Sequence, residues 1–173
     1  MPEKAPSVVP VFLQPAELLF AETPTRVRTI LGSCVAITMR VPRLGLASAA
    51  HCLLPYAGAP VGKLSRAEAL RYVDTTVAVM LGIFAQRGAS PGELEIKIFG
   101  GADNLDRSKP GSGYRVGGRN VEAALQVLAE HGLAPVSSGV GGRWGRVIEF
   151  HTHTGDVFVR LLSSLPDGGR EEA

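Results

Sequence analysis

The sequence predicts an α/β fold: a layered sandwich with a mostly antiparallel or mixed sheet and two long helices. Three observations lead there. Two stretches repeat apolar residues at helical spacing, and six or seven short segments are rich in β-branched residues and bounded by Gly or Pro. Their order is three strands, helix, strand, helix, then strands, which is an α/β order with mostly antiparallel pairing. The 173 residues suit one domain of ordinary size, taken as 1–173, and an apolar share of 45% can fill its core.

Residues 1–26 carry several prolines and little periodicity, so an extended arm or edge segment is expected, with Glu17–Phe20 touching the core. Val27–Leu31 reads as a strand ending at Gly32. Cys34–Arg40 and Gly45–His51 read as an antiparallel hairpin about a turn at Val41–Leu44, built on Pro42. Ser65 and Glu68 have the spacing of a capping box. Beyond them Val73, Val77, Met80, Leu81 and Phe84 form one helical face, with Gly88 as the stop. Leu94–Phe99 alternates as a half-exposed strand and ends in Gly100–Gly101. Residues 103–113 read as a polar loop. A second helix begins near Asn120, with Val121, Ala124, Leu125 and Leu128 as its buried stripe and Gly132 at its end. Val136–Val140 reads as a strand, and Val147–His151 with Val157–Leu162 as a closing hairpin. The tail from Pro166 to Ala173 is polar and expected to fray.

Composition narrows the function. A net charge of +2 without a basic run argues against a nucleic-acid surface. No segment approaches the ~20 apolar residues of a membrane span. The first residues lack the apolar core of a signal peptide, so a cytoplasmic protein is expected. In that reducing setting Cys34 and Cys52 are expected to stay unbridged. Alternation sends Cys52 to the opposite face from Cys34, where it reads as a small buried hydrophobe.

Chemistry concentrates at Gly32-Ser33-Cys34 and His51. A thiol needs a base to become a nucleophile at neutral pH. The expected hairpin register sets Cys34 directly opposite His51, with Cβ atoms roughly 4.5–5.5 Å apart on one face. Small residues before the thiol expose it and let backbone N–H groups line an oxyanion site. Other signals are weaker. His151 and His153 alternate on one strand, but a metal site needs further ligands, and a polar strand end is the simpler reading. The Gly pairs at 100–101, 117–118 and 141–142 lack a phosphate-loop pattern. Arg119, Arg143 and Arg146 could form a surface patch for an acidic partner, but scattered arginines read more simply as a solvated face.

Leu31-Gly-Ser-Cys-Val-Ala36, followed by Ala50-His51 and Leu54-Pro55, resembles the CheD family of chemoreceptor glutamine deamidases. The likeness continues through Arg71–Asp74, Ile96–Ala102, Gly118–Glu122, Gly141–Arg143 and Val157–Arg160. It spans about residues 27 to 162. The resemblance implies an α/β sandwich that hydrolyses selected receptor glutamines to glutamate with a Cys–His pair, here Cys34 and His51, and no cofactor. It implies an assisting Thr six residues before the Cys. Arg28 holds that position here, and Thr29, one residue later, is the candidate for the role. The resemblance also implies a CheC-type phosphatase as partner. An alternative is a protein that chiefly binds and stimulates that phosphatase, with little deamidation.

Overall fold

The computed structural model describes residues 7–103 and 115–163. Along the chain it forms strands β1 (Val9–Phe12), β2 (Leu18–Ala21), β3 (Thr25–Leu31), β4 (Val35–Val41) and β5 (Leu46–Cys52). Helices α1 (Arg66–Ala69) and α2 (Val73–Gln86) follow, then β6 (Glu95–Gly100) and α3 (Val116–Glu130). Strands β7 (Ser137–Val140), β8 (Arg146–His151) and β9 (Val157–Leu161) complete it. One sheet runs β1-β3-β8-β9 and the other β2-β5-β4-β6-β7. Pairing is antiparallel except for β1 with β3 and β6 with β7. The expected polar loop at 103–113 and the tail from 166 lie outside the described residues, apart from Asp103.

The fold is therefore a sandwich of three layers. Strand β3 alternates strictly, with Thr25, Val27, Thr29 and Leu31 buried and Arg26, Arg28 and Ile30 exposed. One face of that sheet is thus wet and the other dry. Strands β4 and β5 are buried almost throughout, because both of their faces are covered. On one face Ile37, Met39 and Ile98 pack against Val77, Met80 and Leu128 of the helices. On the other, Ala47 and Ala49 meet Val27 and Phe150, while Ala36 and Phe99 meet Leu31 and Ile148. Alanine on that inner face lets the two sheets approach closely. Each fully buried large side chain contributes about 1.5–3 kcal/mol.

Within the arm or edge segment expected over 1–26, two edge strands form: β1 joins one sheet and β2 the other, and Leu18 and Phe20 touch the core as expected. Other expectations change. The hairpin register moves by two residues, so Ala36 faces His51 and Val35 faces Cys52. Val41 is fully buried and stays in the strand opposite Leu46. The turn falls on Pro42–Leu44 and Gly45, whose φ of 65° suits glycine. The helix expected from Ser65 breaks after α1. The capping box is present, but the backbone at Arg71 is drawn away to pair with the end of β5. There the Arg71 carbonyl accepts from the N–H groups of Leu53 and Leu54.

The buried face of α3 is rotated from the expected stripe. Gly117, Asn120, Ala123, Ala124, Val127 and Leu128 are buried, whereas Leu125 is exposed. Arg146 is not on a solvated face. Its guanidinium is buried and donates to the carbonyls of Gly139 and Gly141, tying β8 to β7.

Candidate functional site

His51 sits near the end of β5, on the face turned toward the other sheet, and is 2% exposed. Thr29 projects from the dry face of β3 to meet it. The Thr29 Oγ1 lies 2.8 Å from His51 Nδ1 and 2.8 Å from the Leu13 carbonyl oxygen. A hydroxyl has one proton, and the carbonyl can only accept. With that proton given to Leu13, Thr29 accepts from the Nδ1–H of His51. This fixes the tautomer and leaves the Nε2 lone pair free. Nε2 is buried and has no hydrogen-bond partner among the described residues. Burial pushes the His51 pKa down, against a smaller upward pull from Glu17, so the ring is a neutral base at neutral pH. Arg28, at the position where the Thr was expected, points to the opposite, solvated face.

Cys34 stands just before β4, in the turn that follows β3. It is half-buried and packs against the cluster of Leu31, Ala36, Phe99 and Ile148. The two-residue change in register keeps parity, so Cys34 continues the same face as Ala36 and His51. It is a diagonal neighbour of His51 instead of a direct one, at roughly 7–8 Å between backbones, within reach of side chains that lean together. Burial raises the Cys34 pKa, and its own backbone N–H pulls it partly back. The resting pair is thus thiol and neutral imidazole.

The turn is held from one side at each of three successive carbonyls. Gly32 O accepts from Ala102 N–H at 2.9 Å, Ser33 O from Asn120 Nδ2 at 2.9 Å, and Cys34 O from Gly101 N–H at 2.8 Å. The last contact needs glycine at 100. A Cβ there would lie 2.2 Å from the Cys34 carbonyl oxygen. Asp103 steadies the same region by accepting from Gly117 N–H at 2.9 Å and Gly118 N–H at 3.0 Å, which caps α3.

Thr29 of β3, Cys34 of the turn between β3 and β4, and His51 of β5 share the space between the sheets at one end of the sandwich. Cys52 lies on the opposite, helix-facing side, fully buried, with its pKa pushed up to about 12 by desolvation. Neither cysteine is bridged. His151 and His153 stack at 6.0 Å, with His151 bonded to Glu149 on the outer face. Among the described residues no three potential metal ligands come together. The expected set omits Asn120 as a contact to the turn. Its signal is a buried amide in line with Ala123 and Ala124 on one helical face, which must find partners.

Comparison with known proteins places this geometry in context. The family model for CheD chemotactic sensory transduction matches residues 53–161. A probable chemoreceptor glutamine deamidase CheD 2 of Geobacter sulfurreducens is 42% identical over 165 residues, covering 94% of this chain and 96% of its own length. A probable chemoreceptor glutamine deamidase CheD of Maridesulfovibrio salexigens is 40% identical over 166 residues, covering 94% and 97%. One from Oceanobacillus iheyensis is 34% identical over 149 residues, covering 86% and 89%. The family model begins two residues after His51, whereas an alignment over 94% of the chain is long enough to take in Thr29, Cys34 and His51. Among solved structures, the Bacillus licheniformis hypothetical protein YfiH aligns at a TM-score of 0.43 and 14% identity, covering 72% of this chain and 49% of that one.

Proposed function

The chain belongs to the CheD family, and we propose that it deamidates glutamine side chains of bacterial chemoreceptors, using Cys34 as nucleophile and His51 as base. The observation that carries this reading is the Thr29–His51 contact of 2.8 Å, which leaves Nε2 buried and without a partner among the described residues, on the face that Cys34 shares. The names of the relatives supply the substrate class, and the geometry supplies a way to act on it.

His51 Nε2 takes the Cys34 proton as the sulfur attacks the glutamine Cδ. The thiolate need not exist beforehand, which fits a thiol whose pKa burial has raised. Charge builds on the amide oxygen, where the Cys34 N–H can donate to it; one such donor is worth roughly 3 kcal/mol. The imidazolium returns the proton to the nitrogen, the C–N bond breaks and ammonia leaves. Water, deprotonated by His51, attacks the thioester carbon and releases Cys34 and glutamate. Thr29 holds the ring in one tautomer throughout. The chemistry needs neither metal nor organic cofactor.

Receptor cytoplasmic helices place the work in the cytoplasm and link it to chemotactic adaptation. No helix among the described residues is long and apolar enough to cross a membrane. A CheC-type phosphatase is the second partner in this reading, and a Cys34→Ala variant should bind it as the unaltered protein does in a pull-down. The enzymatic claim is tested by ammonia release from a receptor cytoplasmic fragment. Cys34→Ala and His51→Ala should each abolish it, and a wild-type rate in either would overturn the assignment.

A further inference from the structure

We propose that Asn120 is a positioning residue, one that sets the direction of the Cys34 N–H through the peptide bond between Ser33 and Cys34. The inference rests on the reading of Cys34 as nucleophile and adds to it a third element, helix α3.

Asn120 is fully buried on α3. Its Nδ2 donates to the Ser33 carbonyl at 2.9 Å and to the Leu53 carbonyl at 3.0 Å. Both protons of the amide are used, and they join the residue before Cys34 to the residue two beyond His51. The other end of the amide is unpaid: Oδ1 is buried without a partner among the described residues. Burying an unpaired carbonyl opposes folding. An apolar side chain would avoid it and pack among Ala123, Ala124 and Leu128. The amide therefore owes its place to its two donors.

The consequence follows from peptide geometry. No peptide bond in the described chain is cis. Across a planar trans peptide the carbonyl and the next N–H point in opposite directions. Fixing Ser33 O toward α3 thus turns the Cys34 N–H away from α3. That N–H is the donor assigned above to the developing oxyanion. The hydrogen bond to Leu53 holds the end of β5 to the same anchor, so the two strand ends move together. Gly101 and Ala102 hold the neighbouring carbonyls, but neither contacts the Ser33–Cys34 peptide oxygen.

The test separates oxyanion alignment from thiol activation. Iodoacetamide alkylates a thiol by displacement and forms no oxyanion, whereas amide hydrolysis forms one. Asn120→Ala and the near-isosteric Asn120→Asp are compared with the unaltered protein on a receptor cytoplasmic fragment. Both should lose about 10- to 100-fold in kcat, with KM and the Cys34 alkylation rate within about twofold of wild type. A hydroxyl donor in Asn120→Ser should recover part of the loss. A wild-type kcat in a folded Asn120→Ala variant would overturn the inference. So would an equal fall in turnover and alkylation, or failure of both variants to fold, since each would mark a general structural role. Cys34→Ala is run alongside: if it still deamidates, the parent reading fails, and if it is inactive while Asn120→Ala is unimpaired, only this inference does.

Discussion

Thr29 decides what His51 can do. Its hydroxyl is committed to Leu13, so it can only accept from Nδ1–H, and Nε2 is left as the base. Thr29→Val keeps the shape and removes the acceptor. It should lower kcat by about tenfold or more, within the range that a positioned base contributes, while Thr29→Ser retains most activity. The pH profile gives a second check. With its pKa lowered, His51 as the proposed base works in the neutral form, so activity should be present above that pKa and be lost as pH falls through it. The acid limb of kcat/KM should therefore lie below the ordinary histidine value of about 6.5. A limb above that value would contradict the assignment. Residue types and hairpin parity point to Cys34 and His51, whereas Thr29 comes only from the family resemblance; strand alternation explains why Thr29, and not Arg28, faces the ring. Asn120 was not legible as a contact. Its acceptors are backbone carbonyls 87 and 67 residues away, and carbonyls carry no residue signature.

At the scale of elements, the site depends on how strand ends are anchored to the segment from β6 to α3. Asp103 caps α3 from outside the helix, so Asp103→Ala should cost about 1 kcal/mol in denaturant unfolding. Gly100 has φ of 103° and no room for a Cβ against the Cys34 carbonyl. Gly100→Ala should destabilise the fold by about 2 kcal/mol or more and reduce deamidation, because the turn that carries Cys34, the proposed nucleophile, must shift. The elements themselves were mostly readable from periodicity and from the capping box at Ser65. Their exact joints were not. The hairpin register turned on whether buried Val41 belongs to strand or turn, and local sequence does not reveal what covers it. The break between α1 and α2 comes from pairing with Leu53 and Leu54, a tertiary demand that overrides helical spacing.

In the molecule as a whole, the five-stranded sheet is central, with the four-stranded sheet on one face and the helical layer on the other. That explains why β4 and β5 are apolar on both faces and why the catalytic groups we assign sit at the end of the inter-sheet space. Phe84 anchors the helical layer, buried at 1% exposure with its ring 5.4 Å from that of Phe20. Phe84→Ala should cost about 3–5 kcal/mol in unfolding free energy. The layered α/β class was legible from the order of strands and helices. The division into two sheets was not, because the edge strands β1 and β2 come from a proline-rich stretch with little periodicity. The most direct test of the central claim is peptide mass mapping of a receptor cytoplasmic fragment after incubation with the protein. Wild type should convert particular glutamines to glutamate, and Cys34→Ala should leave every one of them as the amide. The same conversion by both proteins would contradict the account.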